Sequence, residues 1–203
     1  MLDCCKKIKK IPEISEVTQN NLTLFAIFFK GLEELTELLI IQDDKNWTSD
    51  TKNIEIVWNL LQNSEDRLKA SMRFLPIQPE IIASINKLID ENEQFFLKNF
   101  GSGVYSSPEV LIKKTKCSIC HLDFRDCDHL QGVLYNGKIC KIMGEDIEFH
   151  GSALVSEPRD RRCRIWPFNA EKEANGSLLI KNSIMMTTFS IDDFLEEDID
   201  ESK

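Results

Sequence analysis

Four side chains able to hold a soft metal ion fall within thirteen residues: Cys117-Ser-Ile-Cys120, then Cys127-Asp-His129. Their spacing is C-x2-C-x6-C-x-H. Tetrahedral zinc takes four such ligands, with Zn–S about 2.3 Å and Zn–N about 2.0–2.1 Å. A C-x2-C pair presents two thiolates from one tight turn. Cys127 and His129 are two residues apart, so on an extended chain both point to the same side and reach one ion. The polar stretch between the pairs, His121 to Asp126, can loop to bring them together. Arg125, Asp126 and Asp128 supply charge beside the site, where a ligating histidine usually donates its second N–H to an acceptor. The expected cofactor is therefore Zn2+, held by Cys117, Cys120, Cys127 and His129. His121, Cys140, His150 and Cys163 lie near in sequence, and any of them could replace His129. The competing expectation is a set of reduced cysteines packed as small apolar groups.

Apolar periodicity sets the frame that must position these residues. Over 15–42, Leu22, Phe25, Phe29, Leu32, Leu35 and Leu39 recur at three and four, predicting one helix whose apolar face is widened by Phe28, Leu38, Ile40 and Ile41. Ile54, Trp58, Leu61, Leu68, Met72 and Leu75 predict a second helix over 51–74, interrupted by Glu65 and stopped by Pro76. A third starts at Pro79, turns Ile82, Ile85, Ile89 and Phe96 inward, and ends at Gly101-Ser-Gly103. Three such helices with short links predict an antiparallel bundle. From residue 111 the period changes. Asn136-Gly137 between apolar residues predicts a type I′ hairpin. Residues 147–150 and 153–155 read as further strands, and Leu178 to Ile180 as a strand or a return to the helices. The expected fold class is α+β: a basic N-terminus (1–12), an N-terminal antiparallel helical bundle (13–103), a small zinc-stabilised β-rich module (104–168), and a C-terminal segment ending in an acidic tail (169–203). A β unit of about 55 residues has little core of its own, which is where a metal staple is most needed.

The chain has 203 residues, 42% apolar and 29% charged, an ordinary balance for a soluble protein. Its net charge of −9 disfavours nonspecific nucleic-acid binding by the whole chain. The lysines near the start are not followed by an apolar stretch with a cleavage site, so no signal peptide is expected. No apolar run reaches the ~18–20 residues that span a bilayer. Seven cysteines in a reducing compartment suit metal better than disulfides. The expectation is a cytoplasmic protein with no membrane partner.

The module resembles zinc-ribbon and treble-clef units at residues 117–129. Asp128-His129-Leu130 after a C-x2-C also resembles HNH-type nucleases. That likeness implies His129 as general base and a later Asn or His on a catalytic divalent ion. The second C-x2-C of that family is missing here, and the residues after Asn136 read as strand rather than helix. Ala153-Leu-Val-Ser-Glu-Pro158 resembles the ending of phage prohead-protease-like proteins. Their serine falls on Ala153, with Ser152 off by one, so no catalytic serine carries over.

Two charged features suggest contacts. Arg159, Arg161, Arg162 and Arg164, with Trp166 and Phe168, offer guanidinium forks for phosphates and rings for bases. The same arginines can pair with acidic groups of this chain or of a partner. The end of the chain, Ser190 to Lys203, interleaves seven acids with Ile191, Phe194, Leu195 and Ile199; Phe194 and Leu195 would anchor it on a basic surface. The expected role is a non-enzymatic zinc-binding adaptor or complex subunit acting through a protein partner. The alternative is a nucleic-acid-binding or HNH-like nuclease protein.

Overall fold

Helix signals in the first half resolve into three long helices. The structure, a computed structural model, describes residues 14–166, 170–172 and 178–180. Helix α1 runs Glu16–Asp43, capped by Ser15, whose side chain accepts a hydrogen bond from the Thr18 N–H. Asp50 caps α2, Thr51–Met72, by accepting from the Lys52 N–H at 2.9 Å. Helix α3, Pro79–Phe100, opens on proline and stops at Gly101, where φ is 70°.

All six apolar positions expected to face inward from the second helix are buried, five on α2 and Leu75 just past its end. On α1 the buried stripe is rotated from the expected one. It follows Thr23, Ile27, Gly31, Glu34 and Leu38, while Leu39 and Ile40 are exposed. Two polar or small positions cause the rotation. Gly31 lets Leu68 of α2 approach so closely that an added Cβ would lie 2.8 Å from Leu68 Cγ. Glu34 is buried because Arg67, 2% exposed, donates to it from Nε at 3.0 Å. Burial favours the neutral acid and Arg67 opposes it; burial wins, and the Glu34 carboxyl titrates above its usual value.

After Gly103 the chain turns to strand. Strand β1, Val104–Cys117, runs antiparallel to β4, Ile142–Val155, and β5, Arg164–Ile165, pairs with the start of β1, giving the order β4-β1-β5. Between β1 and β4 lies a small hairpin of β2, Leu134–Tyr135, and β3, Lys138–Ile139. Its turn is Asn136-Gly137 with φ of 48° and 74°, as the dipeptide requires for type I′. Residues 147–150 and 153–155 belong to one strand, not two. Glu109 faces Gly151 and Val110 faces Phe149, so His150 is the extra residue of a bulge. Residues 178–180 form β7, paired with β6, Ala170–Lys172.

The helices and the start of the sheet share one apolar core. Trp58, Phe96 and Trp166 meet in it at centroid distances of 5.0–6.1 Å, and Tyr105 belongs to it. At the other end of the ribbon, Cys117 is fully buried. The middle of the ribbon is exposed on both faces. Directly paired residues share a face, so Val110 with Phe149 and Ile112 with Ile147 form an apolar patch. On the opposite face Leu111 lies across from Glu148, which is ion-paired with Lys113. Among the described residues, three α-helices followed by a small antiparallel sheet region make an α+β fold.

Candidate metal centre

The knuckle forms where β1 ends. The Cys117 carbonyl accepts the His121 N–H at 2.9 Å, and the Cys117 sulfur accepts the Ile119 N–H at 3.4 Å. His121 is able to close the turn because its φ is 60°. A short 3-10 turn, Phe124–Asp126, follows, capped by Asp123. Arg125 grips the Asp123 carboxylate from Nε and Nη2 at 3.0 and 2.7 Å, which holds that carboxyl down at about 2. The loop then returns Cys127 and His129 to the knuckle.

The ligand atoms of Cys117, Cys120, Cys127 and His129 all lie within 4.8 Å of one another, a set that could hold a metal ion. Donors on a tetrahedral zinc sit about 3.8 Å apart when Zn–S is about 2.3 Å, so closure needs shifts of about 1 Å. The His129 ring packs edge-on against Tyr135 at 4.6 Å, and its Nδ1 is buried with no hydrogen-bond partner. A buried ring nitrogen without a partner is costly in a metal-free protein and is satisfied at once by a ligand. Burial raises the Cys117 thiol, but N–H groups of Cys120 and Ile119 and the neighbouring thiols lower it further, to about 6. A thiolate is therefore favoured at the deepest position of the set.

Of the four alternatives for the last ligand, Cys140 alone adjoins the group. Its sulfur is 3.7 Å from that of Cys117, and the residue is 1% exposed. Burial, then Cys117, pushes its thiol up to about 11. His121 is exposed; His150 is half-exposed on the ribbon, 3.9 Å from Glu148; Cys163 lies in the 3-10 turn before β5.

The module docks on α1 through its hairpin. Gly137 N–H donates to Asn20 Oδ1 at 2.7 Å, and Thr23 Oγ1 donates to the Gly137 carbonyl at 2.8 Å. The arginine turn docks on α2 and α3. Arg161 is ion-paired with Glu93 and lies 3.7 Å from Glu65; its carbonyl accepts the Trp58 indole N–H at 2.8 Å. Arg162 reaches Asp160, Asn63 and Asp66. Arg164 donates to the Phe100 and Gly101 carbonyls and stacks over Trp58 and Trp166. Arg159 is exposed, and Trp166 is buried. Phe168 and the tail anchors Phe194 and Leu195 lie outside the described residues.

The nuclease and protease resemblances find no support among the described residues. No α-helix follows His129 among the described residues, and the Ser152 hydroxyl is bonded to Ser106 Oγ at 2.7 Å. No helix among the described residues is long and apolar enough to cross a membrane. Compared with protein-family models, with curated proteins and with solved structures, the chain shows no match.

Proposed function

We propose that this chain is a non-enzymatic adaptor or complex subunit in which structural zinc braces a β module against a helical bundle, and that it acts through contacts with a protein partner. One observation carries this: the donor set is complete without solvent. Cys117, Cys120, Cys127 and His129, with Cys140 beside them, supply at least the four protein donors that a tetrahedron needs. Structural zinc sites are closed by four protein ligands, whereas catalytic ones keep a place for water. While it is bound to the ion, His129 is also unavailable as a general base. Thiolate-rich tetrahedral sets favour zinc over magnesium or calcium, which prefer oxygen.

The surface supports the partner. Val110, Ile112, Ile147 and Phe149 cluster on one face of the ribbon, with Phe149 64% and Ile147 56% exposed. Contiguous exposed apolar residues of this kind mark interaction sites. The arginine turn favours this role over nucleic-acid binding, because Arg161, Arg162 and Arg164 already meet acids, carbonyls and rings of this chain.

Purification of the native complex with metal analysis tests both parts. The expected result is about one zinc per chain and a stoichiometric protein partner. That partner should be lost with Ile147→Lys/Phe149→Lys and kept with the control Leu39→Lys on α1. A chain that runs alone, or a hydrolytic turnover abolished by His129→Ala in a protein that still folds, would overturn the proposal.

A further inference from the structure

A fifth donor stands beside the four that could hold the ion. Cys140 is not part of the C-x2-C-x6-C-x-H spacing, yet its sulfur lies 3.7 Å from that of Cys117. That is the edge of a zinc–thiolate tetrahedron, about 3.8 Å for bonds of about 2.3 Å. The backbone fixes it there. Cys140 N–H donates to the Val133 carbonyl at 2.8 Å, and Gly132 N–H donates to the Cys140 carbonyl at 2.8 Å. The next residue is tied to the knuckle in both directions. Ser118 N–H donates to the Lys141 carbonyl at 3.0 Å, and Lys141 N–H donates to Ser118 Oγ at 2.8 Å. Cys117 and Cys140 thus sit on two backbone segments bonded to each other. Cys127 and His129 come instead from the connecting loop, two residues apart.

We propose that Cys140 is a metal ligand, sharing the ion with Cys117 and Cys120, and that Cys127 and His129 compete for the single remaining place. Cys117 and Cys140, held by backbone pairing, and Cys120, in the turn closed by the His121 N–H, form the permanent part of the centre. The loop supplies one exchangeable ligand from two candidates. The unpartnered, buried Nδ1 of His129 makes it a competent occupant. The Cys127 thiol, when displaced, keeps an acceptor in the His129 carbonyl, 3.8 Å away. A centre built this way keeps its ion when either loop ligand is lost.

The inference rests on the zinc-centre reading above, and the two fail differently. Zinc affinity is measured by chelator competition on the full chain and on single variants, with circular dichroism to confirm that the helices persist. Cys117→Ser, Cys120→Ser and Cys140→Ser should each weaken zinc more than about 100-fold, beyond the 10–100-fold typical of an outer partner. Cys127→Ser and His129→Ala should each keep one zinc per chain, and the double variant should lose it. Cys140→His should restore binding that Cys140→Ser abolishes, since imidazole replaces thiolate as a ligand but not as a small packed group. Cobalt(II) loading gives a second readout: Cys140→Ser should lose one thiolate's share of the sulfur-to-metal charge-transfer absorption. A wild-type chain that binds no zinc overturns the zinc-centre reading itself. Zinc binding that survives Cys140→Ser unchanged, or is not restored by Cys140→His, or is lost equally with Cys127→Ser and His129→Ala, overturns this inference alone.

Discussion

Replacing Trp58 by phenylalanine measures how firmly the end of the sheet region is locked to the helices. Trp58 is 1% exposed and touches Phe96 and Trp166. Its indole N–H bonds the Arg161 carbonyl at 2.8 Å, and the guanidinium groups of Arg161 and Arg164 lie 5.1 and 5.0 Å from its ring. Phenylalanine keeps an aromatic face but removes the donor. Leaving that part-buried carbonyl without a partner costs about 1 kcal/mol, the low end of the range for a lost donor. The missing ring atoms leave a gap worth about 1–2 kcal/mol, and the weaker π face trims the cation contacts by about 0.5 kcal/mol. The sum is about 2.5–3.5 kcal/mol. Trp47→Phe is the control, because Trp47 packs on Phe95 and Phe96 and has no indole bond to the arginine turn. Urea unfolding followed by helical circular dichroism gives both values. Trp58→Phe should cost at least about 1 kcal/mol more than Trp47→Phe, and the 159–166 segment should gain hydrogen exchange. Equal costs, with unchanged exchange at 159–166, would refute the lock.

Other perturbations follow from the same geometry. Arg67→Met strands the buried Glu34 carboxylate and should cost about 3–5 kcal/mol, while Glu34→Leu/Arg67→Met should recover most of it in the same urea series. The Glu34 carboxyl titrates above its ordinary 4.5 in the fold because burial outweighs Arg67. The folded state therefore holds this proton more readily than the unfolded one, so this residue's contribution falls as pH rises from about 4.5 through the raised value. Glu34→Gln should remove that part of the stability–pH slope. Gly137→Ala places a side chain at φ of 74° and a Cβ 3.2 Å from the Gln19 carbonyl oxygen. It should cost about 1–2 kcal/mol at the backbone alone and loosen residues 134–139 from α1, read by hydrogen exchange.

What could be read before folding differed element by element for physical reasons. Helix α2 was legible because its apolar residues recur at three and four along the buried side, even though Gln62, Asn63, Ser64, Arg67 and Ser71 are buried among them, and the interruption at Glu65 is answered by Arg161. The α1 stripe was misplaced because a glycine and a buried glutamate occupy it, and neither scores as apolar. Asn136-Gly137 announced its hairpin because few residues accept positive φ at both turn positions. Strand β1 gave no alternating signal: much of it lies in an exposed two-stranded ribbon, so its lysines and aliphatics follow no buried face. At the centre, local spacing brought out Cys117, Cys120, Cys127 and His129. The nearness of Cys140 to Cys117 depends on the β2–β3 hairpin folding back, which no short window contains. Arg164 and Trp166 offered charge and ring for a contact, and the fold places them against Trp58.

Zinc content is the most direct measurement of the central claim. Protein purified without chelator should carry about one zinc per chain. Cys117→Ser should lose it, with residues 104–165 loosened in hydrogen exchange and the three helices retained. Metal-free wild-type protein whose β region is as protected as that of a zinc-loaded sample would contradict the account.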